Sequence, residues 1–116
     1  MTRDWLRWRP GRIGSGYRKM LFARAKLGAR GLLGFDVYLL DYPPGSSIPS
    51  HLDTVKLARH FRVNVVLRTG GSRYEGRTLW RLGERVIFFR PDRMTHGVPA
   101  CARRRVVLSV GWAVRP

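Results

Sequence analysis

The chain has 116 residues, a formal charge of +16 and one cysteine. That is length for one domain with a real core, and the single cysteine excludes an internal disulfide or a cysteine-rich zinc site. No apolar run approaches the roughly 18 residues of a transmembrane helix, which argues against a membrane protein. The charge comes from twenty arginines and three lysines against seven acids, and residues 1–31 hold nine basic groups against Asp4. Two readings follow: an anionic partner such as nucleic acid or an acidic cofactor, or an arginine-biased composition. A compact basic tract interleaved with aromatics is hinted at only by Trp5-Leu6-Arg7-Trp8-Arg9. The opening residues lack the apolar stretch of a secretory signal, and cysteine usage fits a reducing compartment, so a cytoplasmic location is expected.

Residues 1–16 read as a loose basic lead-in, broken by Pro10, Gly11, Gly14 and Gly16. Residues 17–29 show helical spacing, with Leu21, Ala25 and Gly28 on one stripe, which predicts a short helix on the outside of a sheet. From residue 35 the pattern is β. Phe35 to Tyr42 alternates as a strand, Pro43 to Ser47 is a loop, and Ile48 to Asp53 is a short strand. Phe61 to Arg68 points Val63, Val65 and Leu67 one way and Arg62, Asn64 and Val66 the other. After Gly70-Gly71, strands are predicted over Thr78–Leu82, Arg85–Phe89, Thr95–Val98 and Arg104–Trp112. About eight short strands with turn signals between them predict a mainly β sandwich or jelly roll over 35–112, with one N-terminal helix, all in a single domain.

The chemistry concentrates in His51-Leu52-Asp53 and the later His96. On a strand, residues i and i+2 share a face, so His51 and Asp53 can reach one metal, with His96 returning 43 residues after Asp53. Two imidazoles and one carboxylate make a facial triad for non-haem Fe(II) that leaves positions open. A core histidine bonded to a carbonyl is the plain alternative for His96. His60 reads as surface or turn. Asn64, a polar residue among β-branched neighbours, reads as pocket-lining.

The ordered set Tyr42-Pro43-Pro44-Gly45, His51-Leu52-Asp53, Arg62 to Leu67, Gly70-Gly71, Phe88 to Asp92, His96-Gly97-Val98 and Arg105 to Trp112 spans about two-thirds of the chain. In order and spacing it resembles the Fe(II)/2-oxoglutarate-dependent dioxygenases on a double-stranded β-helix, in the branch that includes prolyl hydroxylases. The resemblance implies that His51, Asp53 and His96 ligate Fe(II). It implies that Arg105, nine residues after His96, grips the distal carboxylate of 2-oxoglutarate through its planar fork. Ser109 would donate to the same carboxylate from the same strand face, and Tyr42 would donate to the cosubstrate or else simply pack on the core. Arg103 and Arg104 read as solvated, although strand alternation alone leaves Arg104 as an alternative anchor. Asp92 is a weaker candidate for orienting His96.

The implied reaction uses molecular oxygen, converts 2-oxoglutarate to succinate and carbon dioxide, and hydroxylates a protein side chain or small molecule, with ascorbate as a reductant. Compared with larger relatives, the sequence is expected to lack long N-terminal helices and a C-terminal extension. Recognition loops are therefore expected only over residues 1–16, 54–60 and 69–77, and a homodimer would cover exposed sheet edges. Two rival readings stand beside the hydroxylase. One is a nucleic-acid-directed oxidative demethylase, favoured by the charge. It is disfavoured by a last strand without the Arg-x-Asn-x-x-x-Arg pattern usual in that branch. The other is a non-catalytic metal-binding jelly-roll protein.

Overall fold

The computed structural model describes residues 7–11, 16–26, 32–52 and 59–114, and every regular element among them is a strand. In chain order these are β1 (Trp8–Pro10), β2 (Arg18–Lys26), β3 (Leu32–Tyr42), β4 (Ile48–His51), β5 (Arg59–Arg68), β6 (Glu75–Gly76), β7 (Trp80–Leu82), β8 (Val86–Phe89), β9 (His96–Val98) and β10 (Arg105–Val114). A seven-stranded sheet runs β1-β2-β3-β10-β5-β8-β7, and a three-stranded sheet runs β4-β9-β6.

The helix expected over 17–29 is not formed: Arg18–Lys26 is a strand, and 27–29 lie outside the described residues. The stripe that suggested a helix rested on Leu21 and Ala25, four apart, a spacing that an unbroken strand also satisfies, although a bulge sets them opposite Tyr38 and Phe35, positions of alternate faces. Pairing then decides. β2 covers the edge of β3 along Arg18↔Asp41 through Lys26↔Gly34, with one bulge between Leu21 and Ala23. A helix there would have left a row of β3 backbone groups unpaired. The basic lead-in is also partly ordered, since Trp8–Pro10 pairs with Arg18–Met20. Pro10 can end that strand because β1 lies at the sheet edge.

Alternation along β10 sorts the two faces of the large sheet. Arg105, Val107, Ser109 and Gly111 are buried on one face. They pair in register with Tyr42, Leu40, Tyr38 and Asp36 of β3. Val66, Asn64 and Arg62 of β5 stand opposite Val107, Ser109 and Gly111. Tyr42, Val66, Val98, Cys101 and Val107 form one apolar cluster, and Tyr74, Ile87 and Phe89 form another. Burial pushes the Cys101 thiol up, so it behaves as a small apolar side chain. The opposite face of the sheet carries a row of rings, with Trp112 6.0 Å from Phe61 and 5.9 Å from Phe88.

Candidate functional site

A cavity of about 230 Å³ lies on the polar face of the large sheet, and His51 and His96 belong to its wall together with Tyr42, Asn64 and Ser109. The histidines come from adjacent strands of the small sheet. His51 of β4 is the cross-strand partner of His96 of β9, and their ring centroids are 4.3 Å apart. Glycine at 97 permits this approach: a Cβ there would meet the Ile48 carbonyl oxygen at 2.6 Å and the Ser50 nitrogen at 3.0 Å.

Both imidazoles are oriented in the same way. Nδ1 of His51 lies 2.8 Å from the Pro49 carbonyl oxygen, and Nδ1 of His96 lies 2.8 Å from the Met94 carbonyl oxygen. A carbonyl only accepts, so Nδ1 carries a proton in each ring, and in the neutral imidazole Nε2 is then the nitrogen with the lone pair. That is the tautomer a metal ligand needs, set by a second hydrogen bond of the usual kind. The turn that places the Met94 carbonyl is closed by the Met94 and Arg93 amides donating to the Arg90 carbonyl. Arg90 also binds Asp92 through two hydrogen bonds, at 3.2 and 2.7 Å. Asp92 thus stabilises the turn through Arg90. Phe89 packs 5.0 Å from the His96 ring, and His96 is only 9% exposed. Asp53, the carboxylate of the expected triad, lies outside the described residues, and no group of three metal-ligating side chains occurs among the described ones.

On the large sheet a polar chain crosses three strands. Asp36 accepts from Arg62 Nη2 at 2.6 Å, Arg62 Nη1 donates to Ser109 Oγ at 2.7 Å, and Ser109 donates to Asn64 Oδ1 at 2.6 Å. Gly111 gives Arg62 its path, because a Cβ at 111 would sit 2.1 Å from the guanidinium Nη2. Ser109 and Asn64 therefore line the cavity as a mutually satisfied pair. The sequence places Arg62 on the Asn64 face of its strand but gives it no role in the site. The signal available was its i, i+2 relation to Asn64. His60, expected on the surface, also reaches the cavity wall.

Arg105 is 2% exposed and lies on the same face as Ser109. Its Nη1 donates to the Thr69 carbonyl at 3.1 Å, its guanidinium carbon is 5.9 Å from the Tyr42 ring, and its buried Nε has no hydrogen-bond partner. It stands behind Tyr42 and does not itself border the cavity. Tyr42 stacks on Tyr17 at 5.0 Å, and burial holds its phenol well above the usual range, so it stays a proton donor. Arg104 is exposed, as expected, and also makes a bidentate pair with Asp41 at 2.6 and 3.0 Å on the other face of the sheet. Asp41 also binds Arg18. The strand thus separates the two arginines by one residue and by the thickness of the sheet.

No protein-family model matches the chain, and no curated protein matches it. Solved structures do share its fold. A prolyl-4-hydroxylase from Pseudomonas putida has a TM-score of 0.70 and 18% identity, over 94% of this chain and 77% of that one. KdgF from Halomonas sp. has a TM-score of 0.63 and 16% identity, over 91% and 84%. An RmlC-like cupin from Shewanella frigidimarina has a TM-score of 0.59 and 15% identity, over 97% and 87%. At these identities the likeness is one of fold: the chain has the cupin jelly roll.

Proposed function

We propose that this cupin-fold chain is an Fe(II)- and 2-oxoglutarate-dependent oxygenase that hydroxylates a primary substrate. The observation that carries the reading is the cross-strand pair His51 and His96. Both Nδ1 atoms lie 2.8 Å from main-chain carbonyls, which in the neutral rings would make Nε2 the ligating nitrogen of each. This donor set fits a borderline divalent metal, and with Asp53 these residues would hold the iron. The fold likeness to a prolyl-4-hydroxylase is consistent with that reading.

A centre of this kind supplies oxygen activation at the expense of 2-oxoglutarate, which leaves as succinate and carbon dioxide while a substrate C–H becomes C–OH. The chain's own residues do the rest. The carbonyls of Pro49 and Met94 fix the two rings against rotation. Phe89 and Tyr74, whose rings pack 5.1 Å apart, keep water from one side of the cavity. Arg105 is the proposed anchor for the distal carboxylate: its buried Nε–H has no partner, and because it stands behind Tyr42 and outside the cavity wall, the anchor role requires Tyr42 to turn aside. Tyr42 and the Asn64–Ser109 pair would complete that end of the site.

The test is succinate formation. Protein supplied with Fe(II), 2-oxoglutarate, oxygen and ascorbate should release succinate even without primary substrate. A preparation that binds iron and 2-oxoglutarate yet never forms succinate would be the non-catalytic metal-binding jelly roll.

A further inference from the structure

We infer that the primary substrate carries a phosphate group, held in a basic cleft beside the histidine cavity. This rests on the oxygenase reading, since it names the second reactant of that site. The cleft measures about 330 Å³ and its wall includes Arg9, Lys19, Arg24 and Tyr38. Lys19 and Tyr38 also border the histidine cavity, so the two spaces share a wall.

The register explains why the cations gather there. Arg9 pairs with Lys19 across β1 and β2. Lys19, Leu21 and Arg24 pair with Leu40, Tyr38 and Asp36 across β2 and β3. Directly opposed residues project to the same side, so all three cations extend the face of β3 that borders the histidines. Lys19 Nζ sits over the Tyr38 ring, 5.2 Å from its centroid, which keeps the ammonium at the junction. No acid borders the cleft among the described residues. Asp36, opposite Arg24, has its carboxylate bound to Arg62.

Volume divides the labour. The histidine cavity, at about 230 Å³, is below the roughly 300–1,000 Å³ of sites for drug-sized ligands. A five-carbon diacid fills much of it. The adjoining cleft then has room for the body of a second reactant, whose reacting carbon would reach past Lys19 and Tyr38. The Arg24 fork and the Lys19 ammonium, with the charge of Arg9 beside them, are more than one carboxylate neutralises. A phosphate, with three acceptor oxygens and up to two charges, uses them.

Isothermal titration of the full chain with inorganic phosphate tests this. Wild type should bind phosphate, and acetate should bind about tenfold more weakly or worse. The double variant Arg9→Gln, Arg24→Gln and the single variant Lys19→Gln should each lose about tenfold in phosphate affinity or more, whereas Arg103→Gln, on an exposed arginine elsewhere, should change it less than about twofold. If the double variant does not fold, Lys19→Gln and the acetate comparison still decide. Absent phosphate binding, equal binding of acetate, or equal loss in Arg103→Gln would overturn the assignment. So would tighter binding of oligothymidylate that depends on Arg103 as much as on the cleft, which points to a nucleic acid spread over the surface. Cobalt(II) uptake by wild type, read from its visible absorption, reports separately on the histidines. Cobalt uptake without phosphate selectivity removes this inference alone, and phosphate selectivity without cobalt uptake keeps the anion site and removes the oxygenase reading.

Discussion

Arg105 and Arg104 are neighbours in sequence with opposite surroundings. Arg105 is buried on the cavity face with one N–H unsatisfied, while Arg104 is half-exposed and bound to Asp41. If Arg105 anchors 2-oxoglutarate, its charge-assisted pair should be worth about 2–4 kcal/mol. Arg105→Ala should then raise the apparent constant for 2-oxoglutarate by about 100-fold in a succinate assay, and Arg104→Ala should leave it near wild type. If the two variants exchange these behaviours, the anchor has been assigned to the wrong arginine. Asp41 carries a prediction about stability. It is 1% exposed. Burial pushes its carboxyl up, but the hydrogen bonds and charges of Arg104 and Arg18 together outweigh burial and hold it below the usual carboxylate range. A depressed folded value means that its contribution is complete above the ordinary aspartate pKa of about 3.9 and is lost as pH falls through the folded value. Asp41→Asn should cost about 1–3 kcal/mol at neutral pH in denaturant titrations. It should also flatten the loss of stability below about pH 4. An unchanged acid limb would show that the cluster contributes nothing.

At the scale of elements, the close passage of β4 and β9 is what turns two separate histidines into a pair. Gly97→Ala would press a methyl group into the main chain of Ile48 and Ser50, which in a packed sheet costs about 1–3 kcal/mol. Cobalt affinity should fall with it, because the strand must move and carry His51 away from His96. A variant with wild-type cobalt affinity would show that the passage is looser than the packing implies. The same elements show what the sequence made legible. The strands from residue 35 onward could be read from alternation and turn residues, as could the faces of β5, because a half-buried strand imposes a period of two. β2 could not, because the spacing of Leu21 and Ala25 satisfies both periods and the decision came from the open edge of β3, a long-range fact. β6, two residues long, leaves no periodic signal at all. Within the site, His51, His96, Asn64, Ser109 and Tyr42 could be picked out by residue type. Arg62 could not, since its role depends on the space left by Gly111 on another strand.

Over the whole molecule, sheet topology converts distant residues into neighbours. β10 sits centrally between β3 and β5, so Tyr42, Asn64 and Ser109 meet on one face, and the small sheet brings His51 and His96 to the same cavity. The basic lead-in becomes the outer wall of that face through β1 and β2, which is why part of the +16 charge gathers beside the site. No helix among the described residues is long and apolar enough to cross a membrane.

The central claim is that His51 and His96 hold one divalent metal together. Anaerobic titration of the chain with Fe(II), followed by desalting and metal analysis, tests it most directly. Wild type should retain about one iron per chain, as a single three-ligand site requires, His96→Ala should lose most of it, and the double variant His51→Ala, His96→Ala should retain none. Stoichiometric iron in the double variant would contradict the account.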